Sequence, residues 1–265
     1  RDVAVTGVQT CALPILTGST SGNSINLQIT DNNTYKEHYQ IYYSGYSSQG
    51  TFVPFSETSG TNANDYGYNG YDGTLGGGAT FVNSGRTGYC AYISNALRYV
   101  DFGNHFQFNV DTVPFTIALW VFNKRTLSNV DILGTAYASN GYVFGFGNTA
   151  AVSDKLHFYR TGNGTWGRFV YANQALGSGW HHLAVTYDGS NTASGMTLYY
   201  DGNKLTTIVY SDMPAGGGHE TFRIGTRGFA DNFAGLVEDF RVFDKALNEQ
   251  NILDIYNDNA ENEYI

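Results

Sequence analysis

Charge is the first thing this sequence is short of. Asp, Glu, Lys and Arg make up 14% of its 265 residues, and 23 acidic against 14 basic side chains leave a net charge of −9. A nucleic-acid partner needs a basic footprint to replace phosphate counterions, so this balance, with Lys and Arg scattered along the chain, excludes that class. No apolar run approaches the roughly 20 residues that a membrane-spanning helix needs. Cysteine is limited to Cys11 and Cys90. What is plentiful is Gly (33), Tyr (21) and Phe (17). Aromatic and β-branched residues favour strands, and Gly, Asn and Asp favour the turns between them. So many aromatics can bury a core, which excludes a disordered chain.

Residues 1–15 read as foreign to the rest. Along its whole length, Val5–Ile15 resembles the translation of a common sequencing-library adapter, and adapter and index bases upstream account for Arg1–Ala4. Such a segment is left out of fold reasoning and is expected to lack stable core packing. The biological N-terminus then lies outside the sequence, and the question of a signal peptide stays open. Cys90 is left alone, so no intrachain disulfide forms. With no activating base motif beside it, Cys90 reads as a small buried apolar side chain.

Residues 16–60 are polar, with short strands expected around Ile25, Leu27 and Ile29 and at Tyr39–Tyr43. This is too little for a core of its own, so the stretch is either an extension or the remnant of a preceding module. From about 61 to 257 the texture becomes short strands between Gly, Asn and Asp. Phe115, Ile117, Leu119 and Val121 alternate along one strand. Further strands are expected at 142–146, 155–159, 167–171, 181–187, 196–200, 204–210, 221–225 and 235–243. Asp201-Gly202 is the strongest hairpin signal, because it supplies the positive φ that a tight turn needs. One short helix follows, capped by Asn248, with Glu249 in its first turn and Leu247 stapled to Ile252. A polar tail, 258–265, completes the chain. This pattern predicts an all-β, two-sheet antiparallel sandwich with one C-terminal helix.

Several segments carry a family resemblance, in order along the chain. They are Tyr71–Ala79, Tyr99–Gly103, Pro114–Val121, Trp180–Gly189 with Leu198–Gly202, Phe222–Gly225, Gly235–Phe243 and Ala246–Asn248. Together they resemble the laminin-G-like branch of the concanavalin A-like lectin/glucanase jelly rolls. The resemblance implies a concanavalin A-like jelly roll that binds ligands and seldom catalyses. It also implies calcium at loops of the sandwich, since many relatives bind it there. The family's Asp just before its Tyr-Val is replaced here by Arg98, a departure from that inherited site.

Function has to be sought in particular residues, because one fold hosts many activities. A retaining glycosidase needs two carboxyl groups about 5–5.5 Å apart. Glu238 and Asp239 are neighbours on a strand and are expected on opposite faces, and Asp244 lies too far along it. With only seven Glu in the chain and no Glu-x-Asp-x-Glu cluster, the reading is that this is not an enzyme. His181 and His182 also alternate and cannot share a metal. Gly76-Gly77-Gly78 has no helix after it and reads as a turn. Calcium takes Asp, Asn and carbonyl oxygens on loops, which makes Asp65, Asp72, Asp231 and Asn232 the candidate ligands. Trp120 and Trp180 sit on scaffold motifs. Trp166 and Asn163, in a Gly-rich loop, and Phe229 are the candidates for ligand contact.

The expected function is a binding or adhesion module, recognising carbohydrate or a glycosylated surface. It would belong to a larger extracellular, cell-surface or virion protein whose neighbouring domains are missing here. A structural spacer, as in a phage tail fibre, and an accessory domain of a secreted glycoside hydrolase are the alternatives.

Overall fold

The computed structural model describes residues 50–93, 97–106, 112–123, 130–134, 141–147, 155–162, 165–212, 221–226 and 233–261, together with the backbone of four earlier strands. The chain divides into two compact units, Arg1–Gly45 and Tyr46–Ile265. The first holds β1 (Val3–Thr6), β2 (Ile15–Ser21), β3 (Ser24–Thr30) and β4 (Gln40–Tyr43). β1 pairs with β4 and β2 with β3, both antiparallel. The alternating Ile25, Leu27 and Ile29 fall in β3, and Ile41–Tyr43 in β4. Core packing of residues 1–15 concerns side chains outside the described residues.

The second unit contains β5 (Gly50–Val53), β6 (Asn62–Ala63), β7 (Gly73–Gly76), β8 (Thr80–Asn83), β9 (Tyr89–Ile93), β10 (Tyr99–Asp101) and β11 (Phe115–Asn123). It continues with β12 (Val130–Gly134), β13 (Gly141–Phe146), β14 (Leu156–Gly162), β15 (Thr165–Ala172), β16 (Trp180–Tyr187) and β17 (Met196–Tyr200). The last elements are β18 (Asn203–Lys204), β19 (Ile208–Asp212), β20 (Arg223–Ile224), β21 (Gly235–Phe243) and α1 (Glu249–Glu261). These strands build two antiparallel sheets. One runs β19-β15-β14-β13-β12-β20-β10-β7-β6; the other runs β18-β17-β16-β11-β21-β9-β8, with β5 also on β21. β5 comes from within 16–60, so the sandwich takes in residues ahead of the texture change at 61.

The two sheets close on one apolar core. Phe115, Ile117, Leu119 and Val121 enter it from β11, Leu183 and Val185 from β16, and Phe144, Phe158 and Val170 from the facing sheet. The other face of β11 is buried as well, since Thr116, Ala118 and Trp120 are nearly inaccessible. A strand covered on both sides reads as an unbroken apolar run, as this one does. Cys90 is fully buried.

Local signals place the turns. Asp201 and Gly202 have φ of 48° and 74° and join Tyr200 to Asn203. The glycine triplet is a turn, with the Ala79 amide donating to the Gly76 carbonyl at 3.1 Å. Gly77, at φ 63°, lies so close to the Leu97 carbonyl that no side chain fits. The strand expected at 204–210 is two strands. β18 ends in one sheet and β19 begins in the other, because Leu205 is drawn against the core before Ile208 pairs with Tyr171.

The helix is capped as its sequence predicts. Asn248 Oδ1 accepts the Asn251 amide at 2.9 Å, and Leu247 and Ile252 are both buried. The helix continues to Glu261, into the polar tail.

Candidate binding site

The outer face of the eight-stranded sheet is occupied. Leu247, Ile252 and Ile255 pack there on Ala118, Ala184, Tyr199 and Phe243. Tyr256 stacks on Trp120 with ring centroids 5.3 Å apart, and the Arg86 guanidinium lies 3.4 Å over the indole. His182 sits beside Trp120, directly across the strand pair. Burial first, and Arg241 and Arg86 after it, push the His182 pKa down to about 3. His181, by contrast, lies on the other face at the strand end. Its Nδ1 meets Asp201 Oδ2 at 2.8 Å, and its ring stacks on Tyr200. The two histidines therefore hold no ion in common.

Glu238 and Asp239 do not alternate. Trp120 pairs with Glu238 but Ala118 pairs with Arg241, so two residues of β21 face one of β11 in a bulge, and Asp239 has φ 52°. Val237 and Phe240, three apart, both enter the inter-sheet core, which sends both carboxylates to the helix-covered face. The expectation of opposite faces holds only for an unbroken strand. Glu238 Oε2 accepts the Arg86 amide at 2.7 Å, and Oε1 accepts the Thr87 hydroxyl at 2.6 Å and the Thr87 amide at 3.2 Å. Burial raises the Glu238 pKa against these bonds. Burial raises Asp239 to about 7, with Arg241 opposing and Glu238 reinforcing. Both carboxylates are buried, and Glu238 is spent on tethering residues 86–87.

The outer face of the nine-stranded sheet differs. Leu156, Phe158 and Val170 point into the core, so His157, Tyr159, Phe169 and Tyr171 face outward. Val143, Tyr159 and Phe169 form a buried cluster there, with half-buried Tyr171 against it. Tyr210, 47% exposed, lies on Phe169 at 4.9 Å, and Lys155 Nζ lies 4.9 Å over Tyr171. Further across the sheet, Arg223 covers Tyr99 at 4.4 Å and pairs with Asp101 at 2.9 Å. This face leaves Tyr171 and Tyr210 accessible, with the Arg223–Asp101 pair further across the sheet. A ring face can meet the C–H surface of a sugar, and a charged polar group its hydroxyls.

The candidates from the sequence are distributed unevenly. Trp166 is the second residue of β15, opposite Thr161 in the hairpin with β14. Its side chain lies outside the described residues, as do Asn163, Phe229, Asp231 and Asn232. Asp65 and Asp72 do come together. Asp65 Oδ1 accepts the Phe52 amide at 2.7 Å and the Gly67 amide at 2.8 Å, and Oδ2 accepts the Tyr71 amide at 2.7 Å. Asp72 Oδ1 accepts the Asp65 amide at 2.8 Å. Both are braces of a loop. Among the described residues no three His, Cys, Asp or Glu side chains gather as a metal-ligand set. Trp120 is scaffold on the helix-covered face, and Trp180 is half-buried edge-on to Phe122.

Residues 95–253, well over half of the chain, match the laminin-G-like family model described as the concanavalin A-like lectin/glucanases superfamily. The chain belongs to this superfamily. No curated protein matches it in sequence. Solved structures share the superfamily jelly roll at low identity. Domain 4 of AbnA, a GH43 extracellular arabinanase from Geobacillus stearothermophilus solved with arabinotriose, aligns over 78% of this chain and 99% of its own, with 16% identity and a TM-score of 0.59. The binding domain of Paraclostridial Mosquitocidal Protein 1 aligns over 80% of this chain at 14% identity and a TM-score of 0.60. The binding domain of botulinum neurotoxin DC, solved with rat synaptotagmin II, aligns over 80% at 16% identity and a TM-score of 0.59. The chain spans 52% of each of these toxin binding domains. The two toxin neighbours are binding domains, and the likeness establishes the fold that all three share with this chain.

Within this superfamily fold, sequence reasoning missed Tyr171 and Tyr210 and the buried Tyr159 and Phe169 that support them. The signal was present as aromatics at both parities of one strand, in Leu156-His157-Phe158-Tyr159, where a strand with one wet face would alternate with polar residues.

Proposed function

We propose that this domain is a non-catalytic binding module that recognises carbohydrate or a glycosylated surface, as part of a larger extracellular, cell-surface or virion protein. The observation that carries the reading is the contrast between the two outer faces. On one, α1 packs over the sheet and the Glu238 and Asp239 carboxylates are buried; the other keeps Tyr171, Tyr210 and the Arg223–Asp101 pair part-exposed beside the buried cluster of Val143, Tyr159 and Phe169. The glycosylated partner fits neighbours solved with arabinotriose and with SialylT. No helix among the described residues is long and apolar enough to cross a membrane.

A glycan array tests the reading, with Tyr171→Ala and Trp166→Ala as controls. Binding by the native chain that both variants weaken is expected. No binding to any glycan would favour a structural spacer. The accessory-domain reading is supported by the arabinanase neighbour, all but 1% of which aligns here. Selective retention on arabinan among plant polysaccharides is its distinguishing outcome.

A further inference from the structure

We propose that the loop from Asn62 to Asp72, together with His105, is a second glycan-contact site and that it takes neutral sugars. It rests on reading the domain as a glycan-binding module and adds a place and a charge preference to it. The site lies at β6 and β7, the opposite edge of the nine-stranded sheet from β15 and β19. Eight strand spacings of about 4.8 Å put roughly 38 Å of sheet between the two edges.

Three aromatic rings meet solvent here. Tyr68 is 79% exposed, the most exposed large apolar residue described. Tyr71 stacks flat on exposed His105, with centroids 3.9 Å apart and planes 9° from parallel. The edge contact of Tyr71 with buried Phe106, at 5.7 Å, anchors that pair to the core. A single exposed tyrosine is unremarkable, but Tyr68 and Tyr71 share one loop and His105 stacks on Tyr71, and these rings make up the proposed platform.

The platform is also fixed in advance. Besides the three amides held by Asp65, the Tyr66 amide donates to the Phe52 carbonyl at 2.8 Å and the Asn69 amide to the Gly50 carbonyl at 3.2 Å. Asn69 Nδ2 reaches Thr51 Oγ1 at 3.3 Å. A loop ordered before its ligand arrives loses little entropy on binding, and tyrosine supplies contact area with few rotatable bonds.

The polar groups around the rings set the ligand class. Asn62, Asn104 and Asp72 are exposed, and amide and carboxylate groups pair with sugar hydroxyls. Residues 57–72 contain Glu57, Asp65 and Asp72 and no Lys or Arg. A sialic acid or a sulfate would meet like charge with no cation from this loop, which discriminates against acidic glycans.

The test is titration of the purified chain with neutral oligosaccharides and their sialylated or sulfated counterparts, for the native chain, Tyr68→Ala and Tyr68→Phe. Tyr68→Ala should weaken neutral glycans by about tenfold or more, as removal of an aromatic anchor does. Tyr68→Phe should restore binding, since the ring is what acts. An exposed position leaves the melting temperature unchanged, which separates lost contact from lost folding. A chain that binds glycans equally well with and without the Tyr68 ring overturns this site and leaves the module reading standing. Tighter binding of sialylated or sulfated glycans overturns the charge preference. A native chain that binds no glycan overturns both readings together.

Discussion

Glu238 and Arg86 meet across 152 positions of chain, with a carboxylate oxygen accepting the Arg86 amide at 2.7 Å. The same side chain takes the Thr87 hydroxyl, so one residue of β21 fastens the turn between β8 and β9 to the outside of the sheet. Glu238→Ala removes that acceptor from half-buried donors, a loss of about 1 kcal/mol or more. Chemical denaturation should show a lower midpoint with an unchanged slope. A midpoint equal to that of the native chain would mean the tether contributes nothing.

Asp239 makes stability depend on pH. Its pKa of about 7 exceeds that of an ordinary aspartate, because burial outweighs Arg241. The folded chain keeps a proton that the unfolded chain has released, so this contribution is complete below about pH 4 and is lost as pH rises through 7. Asp239→Asn fixes the neutral form. Its melting temperature, minus that of the native chain, should therefore increase from pH 5 to pH 8. A constant difference over that range would refute the shift.

His182 acts in the opposite direction. Its pKa of about 3 lies below the ordinary 6.5, so its contribution is present above pH 6.5 and is lost as pH falls through 3. His182→Phe should flatten the acid side of the stability curve. NMR titration of the native chain should find the His182 ring neutral at pH 5, and a protonated ring there would contradict the assignment.

The helix is held by its cap and one buried stripe. Asn248→Ala should cost about 1 kcal/mol, or roughly 2–4 °C in melting temperature. Ile252→Ala, at a fully buried position, should cost about 2–5 kcal/mol. The ordering of the two variants is the check. A larger effect for the cap would show that the helix does not dock through Ile252.

Asp65 serves its loop with both oxygens, accepting three backbone amides. A calcium ion at Asp65 would have to share oxygens that already accept these three amides. Chelator should therefore leave the melting temperature within about 2 °C, whereas Asp65→Ala should cost about 1–3 kcal/mol of stability and lower the melting temperature by roughly 2–4 °C for each kcal/mol. A large drop on adding chelator would instead reveal a cation in the fold.

Much of the scaffold was legible because it is locally encoded. The alternation in Phe115–Val121, the Asp201-Gly202 turn and the Asn248 cap each name their own geometry. The bulge at Asp239 was not legible. It exists because β21 must satisfy β11 on one side and β9 and β5 on the other, a condition set by strands far away in sequence. The aromatic outer face was hidden for another reason. Where Phe158 and Tyr159 are both apolar and both buried, parity carries no contrast. Tyr68 was passed over because loop composition alone does not reveal which ring is held outward.

β5 and β21 are adjacent strands, with Phe52 beside Arg241 and Val53 beside Phe240. During synthesis, the early strand must wait for nearly the whole domain to leave the ribosome before its partner exists. Pairings so distant in sequence slow folding, and the waiting strand is an unpaired template for aggregation. Production of this domain should therefore respond more to slower translation and chaperone supply than to any single stabilising substitution.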